Sequence, residues 1–152
     1  YNSCSPLFSS LNLHASKAFF MLKITRKVEY ALIALRHMQQ TPRSRVSSSN
    51  EIASKYGIPQ HLLAKILQEM AREKLIQAIK GPAGGYKIKA DLEQISLKDF
   101  FEKLEGPLGL MDCYFNTDCL QMKSCNILTP IQRINQNMRD MFSKTTLMEI
   151  TQ

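Results

Sequence analysis

The sequence predicts a mainly α protein that carries one small β-hairpin and ends in a long amphipathic helix. Three observations lead there. Apolar residues recur at three-and-four spacing in four separate stretches, a glycine-rich turn separates two short strand-like runs, and Pro and Gly fall at the edges of these segments. With 152 residues and 44% hydrophobic composition the chain can bury one core, so a single main domain is expected.

The first twenty residues, YNSCSPLFSSLNLHASKAFF, hold one charge, Lys17, and are rich in Ser before the composition changes at Met21. They read as a leader over residues 1–20, non-native or disordered, with Met21 as the natural start. A secretory signal would begin with a basic segment followed by a continuous apolar stretch, and neither is present. No apolar run approaches the roughly 18 residues that span a bilayer, so a cytoplasmic protein without a membrane partner is expected.

Residues 22–40 place Ile24, Val28, Ala31, Leu32, Leu35 and Met38 on one helical face. The Ser run at 47–49, with Asn50, offers N-caps for a short helix that stops at Gly57. Pro59 suits the first turn of the next helix, whose stripe of Leu62, Leu63, Ile66, Leu67 and Met70 runs to about Lys74. A short helix, a glycine turn and a longer helix together make a helix-turn-helix. The stretch LIQAIKGPAGGYKIKA then reads as two strands around a GPAGG turn, which is a hairpin.

Ser96 can cap a helix lined by Leu97, Phe100, Phe101 and Leu104, which Gly106-Pro107 breaks. The last helix, over 129–142, carries Ile131, Ile134, Met138, Met141 and Phe142 on one face and must bury that face somewhere. The expected organisation is therefore a leader over 1–20, a winged helix-turn-helix over 21–105, a cysteine loop over 106–128, and a helix with its tail over 129–152.

The formal charge of +7 is unevenly placed. Residues 21–90 hold 13 Lys and Arg against 4 Asp and Glu, whereas residues 91–152 hold 6 against 9. The basic half is the one expected to meet a polyanion. A helix-turn-helix followed by a hairpin gives that charge a geometry, with the second helix in the major groove of duplex DNA and the wing beside it. The candidate DNA contacts are Gln60, His61 and Lys65 near the start of that helix, with Lys80 and Lys87 flanking the wing turn.

Cys113, Cys119 and Cys125 are evenly spaced in CYFNTDCLQMKSC, and Cys4 lies far away in the leader. A disulfide uses two thiols and a closed zinc site four, and neither gap is the short CxxC of zinc motifs. Iron–sulfur clusters tolerate wider gaps and a non-cysteine ligand. Spacing alone ranks a cluster above zinc and leaves three unligated thiols open. A redox enzyme is disfavoured, because CxxC, a phosphate-binding glycine pattern and a Cys/His/Asp arrangement are all missing.

The segments MLKITRKVEYALIAL, NEIASKYGIPQHLLAKILQEMAREKLI, IKGPAGGYKI and ISLKDFFEKLEGP, with the C-x5-C-x5-C loop, resemble the Rrf-two family of bacterial transcription regulators. The tail IQRINQNMRDMFSKTTLMEI is similar to the branch that regulates SUF cluster assembly. The resemblance implies a non-enzymatic homodimer, joined through the C-terminal dimerisation helix, that binds a pseudo-palindromic double-stranded DNA operator as a repressor or activator. It also implies an iron–sulfur cluster on Cys113, Cys119 and Cys125. IscR-like members have a histidine ligand three residues past the last cysteine, where this chain has Leu128. NsrR-like members use a carboxylate near the N-terminus, which places Glu29 as fourth ligand and favours a four-iron over a two-iron cluster. His37 is a weaker candidate for that ligand. Such an oxygen-ligated cluster is expected to be lost on preparation in air. The alternative is a zinc-stabilised or cluster-free module for DNA binding or protein interaction.

Overall fold

Among the described residues eight elements follow one another: α1 (Arg26–Gln40), α2 (Ser49–Tyr56), α3 (Gln60–Arg72), β1 (Ile76–Ile79), β2 (Gly85–Ile88), α4 (Leu97–Glu105), α5 (Leu128–Lys144) and α6 (Leu147–Thr151). The structure, a computed structural model, describes residues 24–111 and 119–152. The expected leader over 1–20 and the first loop cysteine, Cys113, lie outside the described residues.

Thr25 caps α1 by accepting a hydrogen bond from the Val28 amide, so the helix starts at Arg26. Ile24, expected on the apolar face, therefore precedes the helix and is half exposed. Val28, Ala31, Leu35 and Met38 are buried as the periodicity requires, and Ala34 and His37 join them. Ser48 caps α2 from the predicted Ser run, and Gly57 ends it in the left-handed region at φ +65°, which a side chain would strain.

The buried stripe of α3 is Leu63, Ile66, Leu67 and Met70, with Leu62 half-buried. The helix ends at Arg72, short of the expected Lys74. Lys74 itself turns left-handed (φ 61°), its amide donating to the Ala71 carbonyl and that of Leu75 to the Met70 carbonyl. This is a Schellman termination with lysine where glycine is usual, and it swings Leu75 and Ile76 into the core.

β1 and β2 pair antiparallel, Ile76 opposite Ile88 and Ile79 opposite Gly85, to form the wing. Ser96 caps α4, and Leu97, Phe100, Phe101 and Leu104 are buried. The core thus gathers one face each of α1, α3 and α4, closed by Ile52, Ile76 and Leu147. The bookkeeping that favours this arrangement is apolar area removed from water, worth about 25 cal/mol per Å².

The fifth helix departs from expectation in how its faces divide. Phe142 turns inward, its ring 5.5 Å from that of Phe101 on α4, while Ile134 and Met141 remain 53% and 57% exposed. The buried residue of α5 is Asn135, whose Oδ1 accepts from the Leu110 amide at 3.0 Å. After α5 the chain turns back: Leu97 donates to the Thr145 carbonyl and Leu147 to that of Ile95. A capping box of Thr146 and Glu149 then starts α6, which packs on α1.

Candidate nucleic-acid interface and cysteine loop

The apolar stripe of α3 fixes what its other face presents. Gln60, His61 and Lys65 are exposed, and so are Gln68 and Arg72, which continue the line of His61 and Lys65 at helical spacing. Sequence reading overlooked Gln68 and Arg72, although the complement of the buried stripe contains them. Gln60 Nε2 donates to Asn50 Oδ1 at the start of α2, so the first residue of α3 is held against the preceding helix.

The wing is fastened to the helix-turn-helix by main chain. Ser47 donates to the Tyr86 carbonyl at 2.9 Å and accepts from the Tyr86 amide at 2.8 Å. Gly85 permits this approach, because a Cβ there would lie 2.6 Å from the Ser47 carbonyl oxygen. Lys80 and Lys87 are exposed, one at the wing turn and one on β2. The sequence-predicted DNA contacts therefore all reach solvent, on α3 and on a wing anchored just before α2.

His37 lies at the other end of α1 from Glu29. Its Nδ1 is 3.2 Å from the Tyr56 hydroxyl, with the two rings edge to face, and its Nε2 is 3.6 Å from Glu51 Oε1. Burial lowers its pKa from the ordinary value, and Lys55 and Arg45 push the same way against the raising influence of Glu51. The ring is thus committed to the contact between α1 and α2.

Glu29 stands in the first turn of α1, paired with Arg26 at 2.8 Å, its side chain 41% exposed. Exposed pairs of this kind contribute little, so the carboxylate can exchange partners at small cost. Nearby, the Thr25 hydroxyl donates to Glu105 at 2.5 Å, bringing the start of α1 to the end of α4. The chain leaves α4 there for the cysteine loop.

The stem of that loop is clamped by side chains. Arg139 Nη1 donates to Glu102 Oε1 at 2.7 Å and to the Leu108 carbonyl at 2.6 Å, while the Leu108 amide donates to Glu102 and the Leu110 amide to Asn135. Farther on, Cys119 and Cys125 are unpaired, half-buried thiols on either side of a turn closed by bonds from Met122 to Cys119 and from Ser124 to Gln121. Among the described residues no three His, Cys, Asp or Glu side chains converge on one point. Cys113 lies outside that set. Two free thiols on one turn are a donor set suited to a soft metal or an iron–sulfur cluster, not to a hard cation.

The exposed side of α5 carries a second regularity. Ile127, Ile131, Ile134, Met138 and Met141 follow a four-three-four-three spacing, and the two Ile and one Met at seven-residue intervals (127, 134, 141) are half or more exposed. This spacing draws an apolar seam along one side, distinct from the side that holds Phe142, Asn135 and Arg139 against α4 and the loop stem.

A family model described as Rrf2, iron-dependent transcriptional regulator, matches residues 24–152. Among solved structures, the chain resembles CymR (YrzC), the global cysteine regulator of B. subtilis, with a TM-score of 0.68 and 24% identity, over 86% of this chain and 97% of that one. A transcriptional regulator from Listeria innocua gives a TM-score of 0.70 and 24% identity, over 84% and 85%. IscR from T. potens gives 0.62 and 19%, over 84% and 85%. At these identities the structural likenesses speak for the fold.

Proposed function

We propose, from the premise that the chain belongs to the Rrf2 family of winged-helix transcription regulators and is no enzyme, that it is a cytoplasmic homodimer whose operator affinity is set by an iron–sulfur cluster. The observation that carries the DNA part is the solvent-facing line His61, Lys65, Gln68 and Arg72 on α3, with Gln60 at its head. Arg and Lys on this line and on the wing supply the salt-dependent phosphate attraction, while Gln60 and His61 supply contacts to base edges.

The seam of Ile127, Ile131, Ile134, Met138 and Met141 supports dimerisation through α5, since a second copy would cover in one contact what a monomer leaves in water. Two recognition helices related by a two-fold axis read a pseudo-palindrome. No described helix is long and apolar enough to cross a membrane.

The cluster would be held by Cys113, Cys119 and Cys125, with Glu29 of the second subunit as fourth ligand, in a four-iron rather than a two-iron form. Leu128, the first residue of α5, has no ligating atom and cannot serve as the histidine of IscR-like members does. When bound, the cluster supplies a centre whose oxidation, nitrosylation or loss is the signal. The chain's own part is mechanical: the loop joins α4 to α5, so ligating its thiols draws on the stem that Arg139, Glu102 and Asn135 hold. A single carboxylate ligand, bound through oxygen and displaced from a weak surface pair with Arg26, makes the site labile. The similarity of the tail to SUF regulators points to cluster-assembly genes as the target.

Anaerobic purification followed by a visible spectrum with iron and acid-labile sulfide analysis on one sample tests this reading. A brown protein with matched iron and sulfide that bleaches in air or nitric oxide supports it. A colourless protein containing zinc, or no metal, leaves a winged-helix dimer whose thiols are structural or idle.

A further inference from the structure

The side chain of Lys27 ties α1, α3 and α4 together at a single atom. Its Nζ donates to Glu69 Oε1 on α3 at 2.8 Å and to the Leu104 carbonyl in the last turn of α4. We infer that Lys27 is the positioning residue through which the state of the cysteine loop reaches the recognition helix. The inference rests on the cluster reading proposed above and assigns its route.

The Leu104 carbonyl belongs to the final turn of α4, where carbonyls have no partner within the helix and take whatever donor approaches. A cationic ammonium suits that negative helix end. Two residues later Gly106 ends the helix, and the loop stem follows at once, held by Glu102, Arg139 and Asn135. Any rearrangement of the loop that pulls on this stem therefore moves or re-aims the Leu104 carbonyl.

At the other end, Glu69 sits on α3 between the buried Ile66 and Met70, while Lys65, Gln68 and Arg72 face solvent. The ammonium and the carboxylate are both about two-thirds shielded, with side-chain exposures of 31% and 27%, so this pair is screened less than the exposed pairs around it. A second, more exposed contact joins Lys103 on α4 to Glu73, the residue that ends α3, at 3.3 Å. Thr25 bonded to Glu105 holds the start of α1 at the same corner. Among the described residues, a shift of the α4 end thus reaches the helix proposed to meet DNA through the shielded contacts of Lys27.

The test uses the full chain as the dimer, reconstituted anaerobically, and a labelled duplex carrying an operator selected by the wild-type protein from random-sequence DNA. Affinity is measured for cluster-loaded and cluster-stripped protein, and their ratio is the readout. Lys27→Met keeps the alkyl packing and removes the charge, Glu69→Gln removes the same pair from α3, and Lys27→Arg retains a cation. The expected result is an unchanged cluster spectrum in all three, a ratio cut by about fivefold or more in Lys27→Met and Glu69→Gln, and partial rescue in Lys27→Arg. Should Lys27→Met fail to fold, Glu69→Gln decides by the same ratio. A wild-type ratio preserved in the charge-removing variants overturns the relay and leaves cluster control standing. A wild-type ratio of one overturns cluster control itself, and the relay with it.

Discussion

Arg139 on α5 and Glu102 on α4 meet at 2.7 Å, and the same guanidinium nitrogen also holds the Leu108 carbonyl. One side chain thereby joins the two helices that flank the cysteine loop and the first residues of the loop itself. Both partners are largely shielded, so removing the cation leaves a carboxylate and a carbonyl short of a donor. Arg139→Met is expected to cost about 1–3 kcal/mol, read as a lowered urea midpoint at unchanged m-value. An unchanged midpoint would show that the clamp adds nothing to the fold.

The α5 seam predicts its own disruption. Ile134→Glu and Met141→Glu place charges on a face that the subunit itself leaves more than half exposed, so neither should unfold the monomer. In the proposed dimer the two glutamates face their symmetry mates. Sedimentation equilibrium should show a monomer with the far-ultraviolet circular dichroism retained, and a persisting dimer would place the interface elsewhere.

His37 gives the fold a pH dependence of definite sign. Burial lowers its pKa below the ordinary 6.5, so the unfolded chain binds the proton more readily than the folded one. The neutral ring's contribution is intact above that value and declines as pH falls from 6.5 towards the lowered folded pKa. Urea unfolding at pH 8 and pH 5.5 should show this loss, and His37→Gln should flatten that part of the profile while losing stability at pH 8.

Gly85→Ala tests the wing's anchorage. The added Cβ would lie 2.6 Å from the Ser47 carbonyl oxygen, which cannot retreat without breaking one of the two bonds to Tyr86. The variant should lose about 1–3 kcal/mol and bind DNA more weakly. Equal affinity for the selected operator would mean the wing takes no part in binding.

Lys65 and Gln60 should separate affinity from sequence preference. Lys65→Ala should weaken binding to all duplexes alike and lower the salt slope by about 1, whereas Gln60→Ala should relax preference at one position of each half-site. Titrations of matched and mismatched duplexes at several salt concentrations distinguish the two.

The parts of this fold legible in the sequence are those with a period. Leu63, Ile66, Leu67 and Met70 declare both α3 and its opposite face, which is why the candidate DNA contacts follow from the spacing of apolar residues and are found exposed. Boundaries set by an unusual residue are not legible: Lys74 ends α3 in a left-handed turn that glycine normally signals. Nor is the inward side of α5, because a buried asparagine on an otherwise amphipathic helix looks like a solvent residue until Leu110 supplies its partner. The tie of Lys27 to Glu69 spans 42 residues of sequence, and nothing local marks either end. The cysteines are legible as a spacing, which names a chemistry without giving its geometry.

The exchange of both backbone hydrogen bonds between Ser47 and Tyr86 leaves the hairpin little freedom to pivot about the helix pair it is sewn to. In the proposed dimer each helix pair with its wing then behaves like the tip of one caliper jaw, stiff in itself. A signal relayed to those tips through Lys27, as inferred above, would change the opening between them and not the shape of either tip. Operators with their half-sites moved apart or together by one base pair should therefore respond differently to the signal, while base changes within a half-site should weaken both states of the protein in equal proportion.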